Sequence, residues 1–389
     1  MARDFHPEGV PLIRLAGLKR GAPLLTGCDF LDGEKVSQRW AHFRLQQGDV
    51  LLSTSASLGE TATVDVSGEG AIAYTGIIRF RPKGDKILGR FIPHALTAPS
   101  FKRQIEAVGG GSVIKHFGPT HLRQMTVCVP PLREQQAIAE VLGSLDDKIA
   151  VNERIAATSL ALGDGLHEIL QRTSEGAPAS AIADLTTGEH LRLGDGYRTK
   201  RSEYGTPGLP ILRVAEVGDG QITPAFGDSV REEFRPAMGG KVSAPGDVVL
   251  TTKGTVGRVA MISPAHPEFV YSPQVCYFRV TAGSAVSRFY LFHWFRSKEF
   301  WRQANGMKRQ TDMADYLSLR DVKSLRMVIP PRELMAEFDK KCTALYARLE
   351  AARSENRTLA DLRNTLLPQL VTGKIRVKDA ARVMEDVAS

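Results

Sequence analysis

Pro130-Pro131-Leu132-Arg133-Glu134-Gln135-Gln136 reads as the end of one kind of structure and the start of another. Paired prolines suit neither the middle of a sheet nor the interior of a helix, but a proline just ahead of Leu, Arg, Glu and Gln suits a helix start. Apolar residues then recur at helical spacing for roughly forty residues. The same event returns at Pro330-Pro331-Arg332-Glu333, 200 residues later. The order is compact segment, long helix, compact segment, long helix, which predicts an internal repeat.

Three further matches support that repeat. Gly9-Val10-Pro11-Leu12-Ile13-Arg14-Leu15 returns as Gly208-Leu209-Pro210-Ile211-Leu212-Arg213-Val214, and Gly48-Asp49-Val50-Leu51-Leu52-Ser53-Thr54 as Gly246-Asp247-Val248-Val249-Leu250-Thr251-Thr252. Ile77-Ile78-Arg79-Phe80 is matched by Tyr277-Phe278-Arg279-Val280. The second pair predicts a Gly-Asp turn feeding an apolar strand, then a tight loop at Gly59 and Gly257 and another strand. Ordered matches at a nearly constant offset mark duplicated domains, since solenoid repeats are far shorter. The copies differ at their beginnings: the run from about Ala181, including Leu193-Gly194-Asp195-Gly196-Tyr197, precedes the second, whereas eight residues precede Gly9. The first copy is therefore expected to lack an opening segment of about thirty residues that the second has. Arg288 to Phe295 is aromatic-rich and reads as a helix packed into a core.

A four-three spacing along the first long segment selects Ile138, Leu142, Leu145, Ile149, Asn152, Ala156, Ser159, Gly163, Leu166 and Leu170. Along the second it selects Phe338, Cys342, Leu345, Leu349, Ala352, Asn356, Leu359, Arg363, Leu366 and Leu370. Most are apolar or small, as a coiled-coil seam requires, and Gly163 and Arg363 interrupt it. If the first helix carries the chain from one domain to the next, the second must return. Antiparallel pairing with aligned centres places Asn152 opposite Asn356, a polar pair that would fix register.

Composition narrows the function. The 389 residues suffice for two or three domains, and 24% charged with 42% hydrophobic residues is ordinary for a globular chain. No apolar run reaches the ~20 residues of a membrane span, and Asp4, His6 and Pro7 stand where a signal peptide needs an apolar core. A cytoplasmic protein is expected. Cys28, Cys128, Cys276 and Cys342 form no C-x-x-C pair and read as buried thiols. The net charge of +8 sits in the compact parts: +5 over residues 1–131 and +4 over 173–331, with −3 and +3 on the two helical stretches. A polyanionic partner fits that distribution, as does a mildly basic surface. No phosphate-binding Gly-Lys-Ser/Thr loop, dinucleotide fingerprint, His-Glu-x-x-His or nucleophile elbow occurs. Asp247 with Lys253 lacks the second carboxylate of a nuclease metal site, since Thr251-Thr252 stand there. No catalytic, metal-binding or cofactor-binding residue is expected.

The chain resembles the DNA-specificity (S, HsdS) subunits of type I restriction–modification enzymes. The resemblance rests on Pro130 to Ala139 followed by Leu145-Asp146-Asp147-Lys148-Ile149, and on Leu366-Leu367-Pro368-Gln369-Leu370-Val371-Thr372-Gly373-Lys374-Ile375. It departs at Glu333-Leu334, where the second copy loses the Glu-Gln. The implied fold is α+β: two pseudo-repeated mixed α/β target recognition domains, residues 1–131 and 175–331, separated by two long antiparallel coiled-coil helices, 132–174 and 332–377, with a tail over 378–389. The implied role is non-catalytic reading of a split, asymmetric double-stranded DNA target with a fixed gap. The implied partners are two methyltransferase (modification) subunits, which bind S-adenosyl methionine, and restriction/translocase subunits. By position, the DNA-facing candidates are Ser53, Ser55 and Lys115 in the first domain, and Arg198, Lys200, Arg201, Lys253, Lys308, Arg309 and Gln310 in the second. Each is equally an ordinary solvated surface residue. Two other functions fit the sequence: a recognition-like module of another methyltransferase-based defence system, and a coiled-coil scaffold that binds protein.

Overall fold

The computed structural model describes residues 5–19, 22–83, 85–108, 116–223, 225–307, 309–310 and 315–380. The chain groups into two compact units, residues 1–153 with 353–389, and residues 154–352. Two long helices, Leu132–Thr173 and Arg332–Val371, each contribute one stretch to both units.

The first unit holds strands β1 (Phe5–His6), β2 (Val10–Ile13), β3 (Asp29–Leu31), β4 (Val50–Ser53), β5 (Thr61–Thr63), β6 (Ile72–Ala73) and β7 (Ile77–Phe80). They form two sheets, ordered β1-β3-β2-β6 and β5-β4-β7. β4 has no solvent face. Leu51 packs with Ile13, Leu18 and Leu45, whereas Val50 and Leu52 pack with Ile92, Leu96 and Phe101 on the helical side. Period-two alternation of β-branched and leucine side chains thus feeds two cores at once. Burying each such side chain is worth about 1.5–3 kcal/mol.

The second unit holds β8 (Ala179–Ala181), β9 (Leu191–Asp195), β10 (Gly208–Leu212), β11 (Ser229–Arg231), β12 (Val248–Thr251), β13 (Val259–Met261), β14 (Val270–Tyr271), β15 (Val275–Val280), β16 (Arg309–Gln310), β17 (Asp315–Tyr316) and β18 (Arg326–Val328). Its main sheet is ordered β13-β12-β15-β9, and a second is β11-β10-β14. The strand pairings repeat those of the first unit. Val50 faces Phe80 and Thr63 as Val248 faces Phe278 and Met261, and β2 runs parallel to β6 as β10 does to β14. The difference at the beginnings of the copies has a structural counterpart. Leu191–Asp195 adds β9 to the edge of β15, where the first unit's sheet has three strands among the described residues. The aromatic stretch forms helix Arg288–Arg296, with Phe289 through Phe295 all buried.

Every seam position on both long helices is buried or half-buried. Within the first unit the helices run antiparallel: Arg363 pairs with Asp146 at 3.1 Å, Asn356 Nδ2 donates to the Ile149 carbonyl at 3.2 Å, and Asn152 Nδ2 donates to Glu355 at 2.7 Å. The two asparagines thus bond the opposite helix separately, and not each other. The seam interruptions have partners of their own. A Cβ at Gly163 would lie 2.4 Å from the His293 ring, so only glycine lets that histidine pack against the helix, and Arg363 is engaged by Asp146. Gln135, fully buried, ties the first helix start to the domain before it. Its amide accepts from Leu88 N–H at 2.8 Å and donates to the carbonyls of Lys86 at 3.0 Å and Pro130 at 2.7 Å. Met335, in the equivalent place, joins the apolar core of the second unit instead. The cysteines divide: Cys276 and Cys342 are buried as expected, Cys28 is half-buried and Cys128 is exposed. No helix among the described residues is long and apolar enough to cross a membrane.

Candidate nucleic-acid interface

The tight loop after β4 and its counterpart after β12 are built by one set of hydrogen bonds. Ser53 N–H donates to Glu60 O (2.9 Å) and Gly59 N–H to Ser53 O (3.0 Å); Thr251 N–H donates to Arg258 O (2.9 Å) and Gly257 N–H to Thr251 O (2.9 Å). Thr54 N–H reaches Gly76 O and Thr252 N–H reaches Gln274 O, at 2.7 and 2.9 Å. A distal segment closes each loop: Phe117 N–H on Thr54 O (3.1 Å) and Leu317 N–H on Thr252 O (2.9 Å). Inside each loop two residues turn left-handed, Ala56 (φ 58°) and Gly59 (φ 82°) in the first, Gly254 (φ 78°) and Gly257 (φ 92°) in the second. Glycine is the natural occupant there, and an alanine carries a steric cost. A Cβ at Gly257 (φ 92°) would sit 2.1 Å from Trp301, so glycine lets the loop rest flat on the indole.

The frame below each loop is also duplicated. Asp49, 2% exposed, receives Arg81 Nε at 2.6 Å and Gln46 N–H at 2.8 Å. Asp247, 1% exposed, receives Arg279 Nε and Nη2 at 2.7 Å each, Tyr271 O–H at 2.6 Å and Ala244 N–H at 3.0 Å. Burial alone raises the Asp49 pKa, but the bonds from Arg81 and Gln46 outweigh it and hold the group below its ordinary value. Burial, with Asp247 alongside, pushes the Tyr271 hydroxyl up. Asp247 is therefore a buried structural carboxylate with both oxygens engaged, Oδ2 by three donors and Oδ1 by one. A second duplicated ion pair, Arg14 with Asp29 and Arg213 with Asp228 (2.6 Å), lies at the ends of β2 and β10.

Of the sequence candidates, Lys253 stands exposed at the tip of the second loop and bridges Tyr316, which in turn pairs with Arg309; Gln310 pairs with Asp315. Lys253, Arg309 and Gln310 are thus on one short ladder. Ser55 takes the same place in the first unit and bridges His116. Arg198, Lys200 and Arg201 are exposed on the segment after β9, whose Tyr197 N–H bonds Tyr271 O at 2.7 Å; Arg198 also pairs with Asp195 at 3.4 Å. Lys115 and Lys308 lie outside the described residues. Ser53 requires correction. It is fully buried, its hydroxyl donating to Ser57 O and accepting from Glu60 N–H at 2.9 Å, so it builds the loop and is not available to DNA. Thr251 does the same with Thr255 O and Arg258 N–H.

Around Lys253 the second unit has a shallow depression also lined by Arg213, Thr255, Arg258 and Gln274. The sequence reading missed Arg213, Arg258 and Gln274. Arg213 was legible, because Arg and Asp recur together at one offset, 14 and 29 against 213 and 228. Gln274 carries no such signal, since its partner position is Gly76. The depression gathers cations and an amide on rigid backbone, the chemistry that contacts phosphate oxygens and base edges. Among the described residues no group of His, Cys, Asp and Glu could hold a metal ion.

Residues 31–158 match the family model described as the type I restriction modification DNA specificity domain. The type I restriction enzyme EcoKI specificity subunit of Escherichia coli K12 is 22% identical over 91% of this chain and 79% of its own length. The MjaIX specificity subunit of Methanocaldococcus jannaschii is 19% identical over 86% of this chain and 79% of its own length. The type I restriction–modification S subunit from M. genitalium, a crystal structure, shares the fold with a TM-score of 0.52 at 16% identity, over 95% of this chain and 91% of that one. Residues 31–158 thus match the specificity-domain model, and over most of its length the chain is similar to type I restriction enzyme specificity subunits and shares the fold of one of them.

Proposed function

We propose that the chain is the non-catalytic DNA-recognition subunit of a type I restriction–modification enzyme, in which residues 1–131 and 175–331 each read one half of an asymmetric, split DNA target. The observation that carries this reading is one loop frame used twice with different side chains on it. Lys253, Arg258 and Gln274 stand where the first unit has Ser55, Glu60 and Gly76. Matching loop hydrogen bonds with unlike tips suit two related half-sites of different sequence. Lysine and arginine supply affinity through phosphate contacts, and side chains at base edges supply discrimination.

The long helices serve as a spacer that fixes the gap between half-sites, much as a dimer interface sets half-site spacing in symmetric DNA-binding proteins. Their outer faces dock two methyltransferase subunits. S-adenosyl methionine binds in those partners, and restriction/translocase subunits join the same assembly. A cytoplasmic location follows from that role.

The test is selection of bound duplexes from a random library by the chain co-expressed with its methyltransferase partner. A two-part motif with a constant gap is expected; a single continuous motif, or no enrichment, refutes the reading.

A further inference from the structure

We infer that Gln274 is a specificity-determining residue of the second module and that it selects adenine at one position of that module's half-site. The inference rests on the DNA-recognition reading above and goes beyond it by naming a residue and a base.

Gln274 occupies the turn between β14 and β15, and its backbone is held firmly. Its carbonyl accepts from Thr252 N–H at 2.9 Å and from Thr252 Oγ1 at 3.2 Å. Val275 N–H closes the turn on Ser272 O at 2.9 Å, and Val275 is paired with Thr251 in the sheet. The side chain, by contrast, is exposed and has no partner among the described residues. The neighbouring groups of the depression differ. Arg213 is held by Asp228 at 2.6 Å, and Arg258 Nη1 by the Val217 carbonyl at 3.3 Å. Lys253, Thr255 and Gln274 therefore offer the exposed, unengaged polar ends among the five polar residues lining the depression, and of these Lys253 and Gln274 have the reach of long side chains.

Their chemistries separate the roles. An ammonium on a flexible stem suits a phosphate oxygen, which carries charge but no sequence. A primary amide has one acceptor and one donor side by side, matching the N6 amino group and N7 of adenine in the major groove. A side chain mounted on a fixed backbone loses little further freedom when it makes that pair.

The first unit supports the assignment by contrast. Its equivalent residue, Gly76, has φ 92°, and a Cβ there would approach Ser55 Oγ to 2.2 Å. At this position the two backbones differ: left-handed Gly76 disfavours a side chain in one module, whereas Gln274, outside the left-handed region, presents an amide in the other. Position 274 is one of the places where the two reading surfaces differ, alongside Ser55 against Lys253 and Glu60 against Arg258.

The experiment compares motifs selected from random duplexes by the full chain with its co-expressed methyltransferase partner, for wild type, Gln274→Ala and Gln274→Arg. Gln274→Ala is expected to cut the preference for adenine at one position of one half-site by about tenfold to a hundredfold. Every other position should remain, and the salt dependence of binding should not change. Gln274→Arg is expected to move the preference at that position toward guanine. A wild-type motif that both variants reproduce overturns the assignment, as does uniform weakening with no change of preference. A wild-type complex that enriches no motif overturns the recognition reading and the assignment with it.

Discussion

Asp247→Asn tests whether the buried Asp–Arg pair is a structural pillar of the reading loop. The carboxylate takes four donors: Oδ2 receives Arg279 Nη2, Tyr271 O–H and Ala244 N–H, and Oδ1 receives Arg279 Nε. Asparagine keeps one acceptor oxygen. Placed where Oδ2 was, that oxygen can hold Tyr271 and Ala244, but its NH2 then faces Arg279 Nε, donor against donor. The variant therefore loses a bidentate ion pair and leaves a guanidinium without its counter-charge. Breaking a buried pair costs about 3–5 kcal/mol. The Arg279 side chain is 29% exposed and can turn partly to water, which lowers the expected loss to about 2–4 kcal/mol. Urea unfolding followed by tryptophan fluorescence measures it, because Trp294 and Trp301 report on the second unit and Trp40 on the first. The second transition should move to lower urea while the first stays. A shift of less than about 0.5 kcal/mol, within the range of an ordinary surface change, would show that Asp247 does not hold the loop.

Further outcomes follow from the same geometry. Lys253→Ala should weaken binding to all duplexes alike and lower the log–log salt slope by about 1, as loss of one phosphate contact does; an unchanged slope removes Lys253 from the interface. Gly76→Ala, at φ 92° with its Cβ on Ser55, should destabilise the first unit by at least about 1 kcal/mol, read from the Trp40 transition. Stability should fall in mild acid through buried histidines. Burial drives His167 down to about 3 and also lowers His293, despite Asp164 beside the latter at 2.7 Å. Both stay neutral in the native state, while the unfolded chain takes up protons below about 6.5. Their contribution is thus complete above that pH and is lost as pH falls below it, toward 3 in the case of His167, which alone gives up about 1.4 kcal/mol by pH 5.5. Asp164, held at about 2 by His293 and Arg296 against its burial, is lost only in the lower window from about 4 to 2. Urea midpoints at pH 7.5 and 5.5 for wild type and His167→Phe check this: the variant should show the shallower fall.

The long helices and the duplicated strands were legible because both are periodic. Heptad spacing and a constant offset are one-dimensional signals that survive in a single sequence. The Asp–Arg pillar was not, since Asp49 meets Arg81 and Asp247 meets Arg279 only after a strand, a loop and another strand have folded back. Ser53 shows the limit from the other side. Its place beside a tight loop suggested a contact residue, but whether a hydroxyl faces solvent or the loop's own amides is decided by the turn geometry. The depression at Lys253 needs residues from three separated stretches, 213–215, 253–258 and 274, and no local spacing announces them. Gln274 was hidden for a further reason: its position in the repeat is a glycine, so comparison of the two copies offered no side chain to notice.

The most direct test of the central claim is a chain in which residues 175–331 also replace residues 1–131, selected on random duplexes with its methyltransferase partner. If each module reads its own half and the antiparallel helices set the gap, the recovered motif will be the wild-type second half-site twice, in inverted orientation, with the wild-type gap. Recovery of the unchanged wild-type motif, or of one half-site with no second copy, would contradict the account.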